Sequence, residues 1–94
     1  MITLKNTVDL MNSDDYKDRF IAEYLQTKIR YNNLHKMLVK HEAGTLPFKP
    51  NCPIDVLNSQ IYYMREYLTQ LEVRAELEGI DLFRYTKITM GDEA

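Results

Sequence analysis

The sequence is short of most things that would declare a chemistry. A single cysteine, Cys52, stands among 94 residues, so no internal disulfide forms and a reducing cytoplasm is the expected setting. No apolar run approaches the ~20 residues that span a bilayer, and no signal-peptide pattern opens the chain. A soluble protein without a membrane partner is expected. The formal charge of −2 withholds the broad positive field that duplex DNA binding needs. There is no glycine-rich phosphate loop, no paired-carboxylate site and no hydrolase motif. His35 and His41 lie six apart, on different sides of a helix, without a Cys or carboxylate at ligand spacing. Cys52 beside Pro53 has helix-start geometry that could lower its pKa, but nothing marks a base for it. The expectation is a protein that is not an enzyme, with no catalytic residues, metal or cofactor.

What is present is helical. The length and composition describe one small globular domain, residues 1–94. A first helix is expected over about 14–43, with Ser13 as N-cap, Asp14 and Asp15 at its positive end and Gly44 closing it. Its apolar positions Phe20, Tyr24, Thr27, Tyr31, Leu34 and Leu38 step by four and three, a seam of a and d type. Gly44, Pro47 and Pro50 make a link of 44–52, with Leu46 and Phe48 folding back over the helix ends. A second helix over about 53–78 has Pro53 at its first position, Cys52 or Asn51 as N-cap and Gly79 beyond its end. Its seam is Ile54, Leu57, Ile61, Met64, Leu68, Leu71 and Ala75. The matched seams predict an all-α, antiparallel two-helix hairpin.

The ends read differently. Met1–Val8 alternates weakly, as a strand or a fraying terminus would, and Asn6 or Thr7 could instead cap one helical turn through Met11. Arg84–Met90 favours strand, so residues 79–94 are expected to form an extended tail. Apolar surface is left over: Ala22, Leu25 and Ile29 on the first helix, Tyr62, Tyr63 and Val73 on the second, and Leu82, Phe83 and Tyr85 beyond it. Such a surplus points to a homo-oligomer, unless the termini wrap back and cover it.

One stretch carries unusual charge. Tyr24–His41 holds Lys28, Arg30, Lys36 and Lys40 and no acidic residue. Laid on the heptad, Tyr16, Glu23, Arg30 and Met37 flank the first seam on one side, and Lys28 and His35 on the other. Gln60, Tyr67 and Arg74 form the matching flank of the second helix. Tyrosines and arginines so placed can stack on bases and hold phosphates. They can equally make weak salt bridges with Glu23, Glu66 or Glu72. Residue chemistry leaves the two readings level.

The spacing Gln60-x3-Met64-x2-Tyr67-x3-Leu71-x2-Arg74 follows Tyr16, Arg19, Glu23, Arg30 and Leu34 on the first helix. Over about residues 14–78 this resembles the small phage helical-hairpin proteins that act as sponges for cyclic nucleotides. That family blocks the anti-phage CBASS defence, and a related hairpin occurs in a sponge that blocks Thoeris signalling. The resemblance implies a homo-oligomer, typically a hexamer, in the cytoplasm of an infected bacterium. It implies binding of cyclic di- and trinucleotides between subunits without cleavage. Tyr16 would stack on bases, Arg30 with Lys28 close by would grip phosphate, and Arg74 matches the arginine used for the trinucleotide. The long Gly44–Cys52 link and the strand-like tail depart from shorter members. Two rivals stand beside this reading: a structural helical adaptor that binds another protein, and a binder of single-stranded nucleic acid.

Overall fold

The computed structural model describes residues 3–82. A 3-10 turn, Leu4–Thr7, runs directly into α1, Val8–Met11; two long helices follow, α2, Tyr16–Ala43, and α3, Ile54–Glu78. Among the described residues there is no strand. The partners of α2 descend along α3 as α2 is climbed: Tyr16 bonds Glu78, Tyr24 bonds Glu72 and Tyr31 meets Arg65. That order makes the pair an antiparallel hairpin. Its longest extent, 43 Å, is the length of the 28-residue α2 at about 1.5 Å per residue.

The helix ends follow local chemistry. Asp15, not Ser13, is the N-cap of α2, and its Oδ1 accepts from Lys17 N at 2.9 Å. Ser13 serves one turn earlier, accepting from Asp15 N and donating to Asp18, so the helix begins two residues later than the composition suggests. Pro53 is itself the N-cap of α3, at ψ 143°, rather than its first residue. With no side-chain cap bond, neither Cys52 nor Asn51 takes the capping role. Gly44 and Gly79 close the two helices at φ 76° and 70°, the left-handed region where a Cβ is disfavoured. Past Gly79, Ile80 N donates back to Ala75 O at 2.8 Å, which turns Ile80 and Leu82 into the core.

A 3-10 turn stands where an extended start was expected, whereas the helical turn through Met11 forms as expected, with Thr7 as its N-cap. Thr3 N donates to Asn6 Oδ1, and Thr7 Oγ1 donates to Leu4 O. These side-chain bonds close a turn locally and compete with strand pairing. Thr7 is fully buried, and its hydroxyl also accepts from Gln26 Nε2 at 2.8 Å. A buried hydroxyl with both roles filled anchors the segment to α2. Ala22 and Leu25, expected as surplus apolar surface, are fully buried, Leu25 in the core with Leu68, Leu71 and Ala75 of α3. The expected strand at Arg84–Met90, and Phe83 and Tyr85, lie outside the described residues.

The core gathers at one end. Phe20, Ile21, Tyr24 and Leu25 of α2 meet Leu68, Leu71 and Ala75 of α3, with Ile80 and Leu82 closing over them and Leu10 and Tyr31 at the margin. This is the open end, away from the link. Toward the link the seam continues through buried Leu57 and Ile61, but Thr27, Leu34, Leu38 and Met64 are only half-buried. Leu46 is half-buried too, whereas Phe48 is 56% exposed and does not fold back.

Candidate functional site

The antiparallel register brings the first residue of α2 against the last turn of α3. There Tyr16 donates its hydroxyl to Glu78 Oε1, and Arg74 Nε donates to Glu78 Oε2 at 3.1 Å. The Arg74 guanidinium lies 4.7 Å from the centroid of Phe20, a ring that is almost wholly buried. A guanidinium over a ring face gains from the ring quadrupole. The outer parts stay open: Tyr16 is 47% exposed and the Arg74 side chain 52%. The Tyr16 bond, and after it the Arg74 bond, hold the Glu78 carboxyl below its ordinary range. The same Glu78 bond raises the Tyr16 phenol.

Only the Nε–H of Arg74 is engaged among the described residues. A guanidinium carries five donors, so its outer edge is available for a phosphate. An exposed phenol ring beside it offers a stacking face. Phe20 and Glu78 were not among the sequence candidates. The i,i+4 spacing of Arg74 and Glu78 was a usable signal; the position of Phe20 beneath the guanidinium needed the hairpin register.

The other candidates fall elsewhere. Lys28 Nζ lies 5.7 Å from the centroid of Tyr31, whose ring stacks on His35 at 6.0 Å and whose hydroxyl accepts from Arg65 Nε at 3.4 Å. This second basic and aromatic group stands about 18 Å along α2 from Tyr16. Arg65 was missed because the expectation read each helix's flanks singly. Arg30 is exposed, and Tyr67 is 43% exposed. Of the five candidates, Tyr16 and Arg74 are the two that share a bonded partner among the described residues. Arg30 lies about 21 Å along α2 from Tyr16. The cross-helix salt bridges with Glu23, Glu66 or Glu72 do not form among the described residues: Glu72 accepts from Tyr24 instead, and the ion pair lies within α3.

A cleft of about 570 Å³ also opens at this end, between Tyr24, Glu72, Ala75, Glu76, Gly79, Ile80, Asp81 and Leu82. Its charged lining is acidic, the wrong sign for a phosphate. Among the described residues no three His, Cys, Asp or Glu side chains converge as a metal site, and no helix is long and apolar enough to cross a membrane.

Fold and site together define a class: a small all-α hairpin that presents tyrosine and arginine on open helix faces. A family model described as Sequestin matches residues 14–77, the hairpin from the turn before α2 to the last turn of α3. The chain belongs to the Sequestin family, the phage cyclic-nucleotide sponges whose motifs it resembles. Searches of curated proteins and of solved structures return no match.

Proposed function

We propose that this protein binds cyclic di- or trinucleotide second messengers, holds them without cleaving them, and so blocks CBASS-type signalling in the cytoplasm of a phage-infected host. The observation that carries the reading is the meeting of Tyr16 and Arg74 on one carboxylate, Glu78, at the open end of a hairpin of the Sequestin family. A stacking ring beside a guanidinium matches a ligand that alternates bases with phosphates. Each stack contributes roughly 1–3 kcal/mol, and an arginine adds a charge-assisted, bidentate phosphate contact.

Arg30, Lys28 and Tyr67 enter this reading through assembly. They stand too far along the helices to reach the Tyr16 ligand within one chain, so a second copy supplies them. The outward face of α3 suits such an assembly: Val56, Tyr63 and Leu77 recur at heptad spacing, and are 54%, 69% and 82% exposed. Tyr62 and Val73 extend the same apolar surface. The family resemblance sets the expected number of subunits at six.

Calorimetry against a panel of cyclic di- and trinucleotides tests the reading, with mass measured in solution with and without ligand. Binding at or below ~10 μM, roughly −7 kcal/mol, with the ligand recovered intact, is the expected result. No binding in that range overturns it. The apolar face of α3 also favours a second reading, a helical adaptor for another protein. A defined monomer or dimer with no nucleotide affinity would point to that one.

A further inference from the structure

Glu78 sits where a carboxylate gains least from its own helix. It is the last residue of α3, beside the negative end of the macrodipole, and the last turn of α3 holds no basic residue. Its i,i+4 partner Arg74 lies on the N-terminal side, the less favourable order for such a pair. Even so, both of its oxygens are engaged, one by Tyr16 and one by Arg74. Those are the two side chains that the proposed function assigns to the ligand. One carboxylate thus satisfies the base-stacking tyrosine and the phosphate-binding arginine at once.

We propose that Glu78 is an internal competitor for the anionic ligand. Its carboxylate takes the place of a phosphate at Arg74 in the free chain, holds Tyr16 and Arg74 at matching heights across the hairpin, and is displaced when an anion arrives. A carboxylate and a phosphate oxygen make the same charge-assisted bond to a guanidinium. With Glu78 in place a phosphate reaches only the outer nitrogens, and the departure of Glu78 opens the side-on, two-bond contact that includes Nε–H. The Glu78 side chain is 30% exposed, so it has a path into water. The proposal rests on the assignment of Arg74 to an anion, and its test keeps that assignment separate from the identity of the nucleotide.

The test uses the full chain, its Glu78→Gln variant and a Glu76→Gln control. Glutamine keeps the size and an acceptor for Tyr16 but gives up the charge. Glu76 is a carboxylate on the same exposed last stretch of α3 without a bond to either side chain, so its variant reports the general field, which salt screens within about 8–10 Å. The Arg74 Nε–H resonance is followed by NMR as inorganic pyrophosphate is added, and calorimetry is run with a cyclic dinucleotide. Glu78→Gln is expected to lower the pyrophosphate midpoint roughly two- to fivefold, the span of an exposed ion pair, with Glu76→Gln near the wild type. The cyclic nucleotide should tighten by the same factor.

An unchanged or higher midpoint in Glu78→Gln overturns the proposal and leaves Glu78 as a structural staple. Equal tightening in both variants overturns it too, since the cause is then net charge. No response of Arg74 in either protein removes the anion site and the proposal with it. A lowered midpoint for pyrophosphate with no cyclic-nucleotide binding to any form supports the competitor and overturns the proposed function alone.

Discussion

The two ends of the hairpin carry the same seam and bury it differently. At the open end Phe20, Tyr24, Leu68, Leu71 and Ala75 are all less than a tenth exposed. Toward the link Leu34, Leu38 and Met64 reach only half burial, and Val39 and Phe48 are more than half exposed. The heptad does not explain the difference, because it runs unbroken through both. The open end has additional layers: the Leu4–Met11 segment lies on α2, and Ile80 and Leu82 fold back past Gly79. Among the described residues the link end has the two helices and the link that joins them. An a/d seam sets a direction for burial, and full burial takes a further layer.

Truncating the core at each end should give the largest difference between them. Leu71→Ala, at 2% exposure, is expected to cost about 2–5 kcal/mol in denaturant unfolding. Leu38→Ala should cost about 1 kcal/mol or less, in keeping with its half-burial. If the two costs are equal, something covers the link end in solution, and the Leu38→Ala cost should then fall on dilution.

Ligand binding compares the ends next. Tyr16→Ala is expected to weaken cyclic-nucleotide binding about 5- to 150-fold, the loss of one stack, and Arg30→Ala about tenfold for one charged contact. Helicity and assembly mass should be unchanged in both. If the assembly falls apart instead, these residues hold subunits together. Tyr63→Lys places charge on the outward face of α3, and a lower mass in solution is the expected result. An unchanged mass would release that face from the interface.

The smallest effect is a pH dependence confined to the open end. Burial, and then the bond to Glu72, raise the Tyr24 phenol well above its ordinary value of 10.0. A folded-state pKa above the unfolded value gives stability that is complete below pH 10 and lost as pH rises toward the folded value. Wild-type stability should therefore decline above about pH 10. Tyr24→Phe should flatten that decline while losing about 1 kcal/mol at neutral pH. An equal decline in the variant would assign it to other groups.

Much of the hairpin could be read from particular residues. Two seams of threes and fours, Gly44 and Gly79 at the helix ends, and Pro47 and Pro50 in the link carry local rules that tertiary context did not override. The N-terminus was harder, because the alternation of Ile2 and Leu4 is brief. The bonds that settled it, from Thr7 to Leu4 and from Gln26 to Thr7, involve side chains with no periodicity to betray them. The candidate site divides in the same way. Tyr16 and Arg74 stood out by type and heptad position, and the hairpin does join them. Lys28 belongs with Tyr31 and Arg65, a pairing across helices that depends on register, which neither helix's pattern states by itself.

Local sequence was enough for the two long helices, their capping glycines and the types of side chain offered to a ligand. These follow from dihedral preference, periodicity and charge, each a property of residues close in the chain. Tertiary packing buried Ala22 and Leu25, which the helix pattern by itself leaves on the surface. It alone placed Phe20 beneath Arg74 and let one carboxylate, Glu78, bridge Tyr16 and Arg74. Those outcomes join residues up to 62 positions apart, and they depend on the angle and register at which two helices meet.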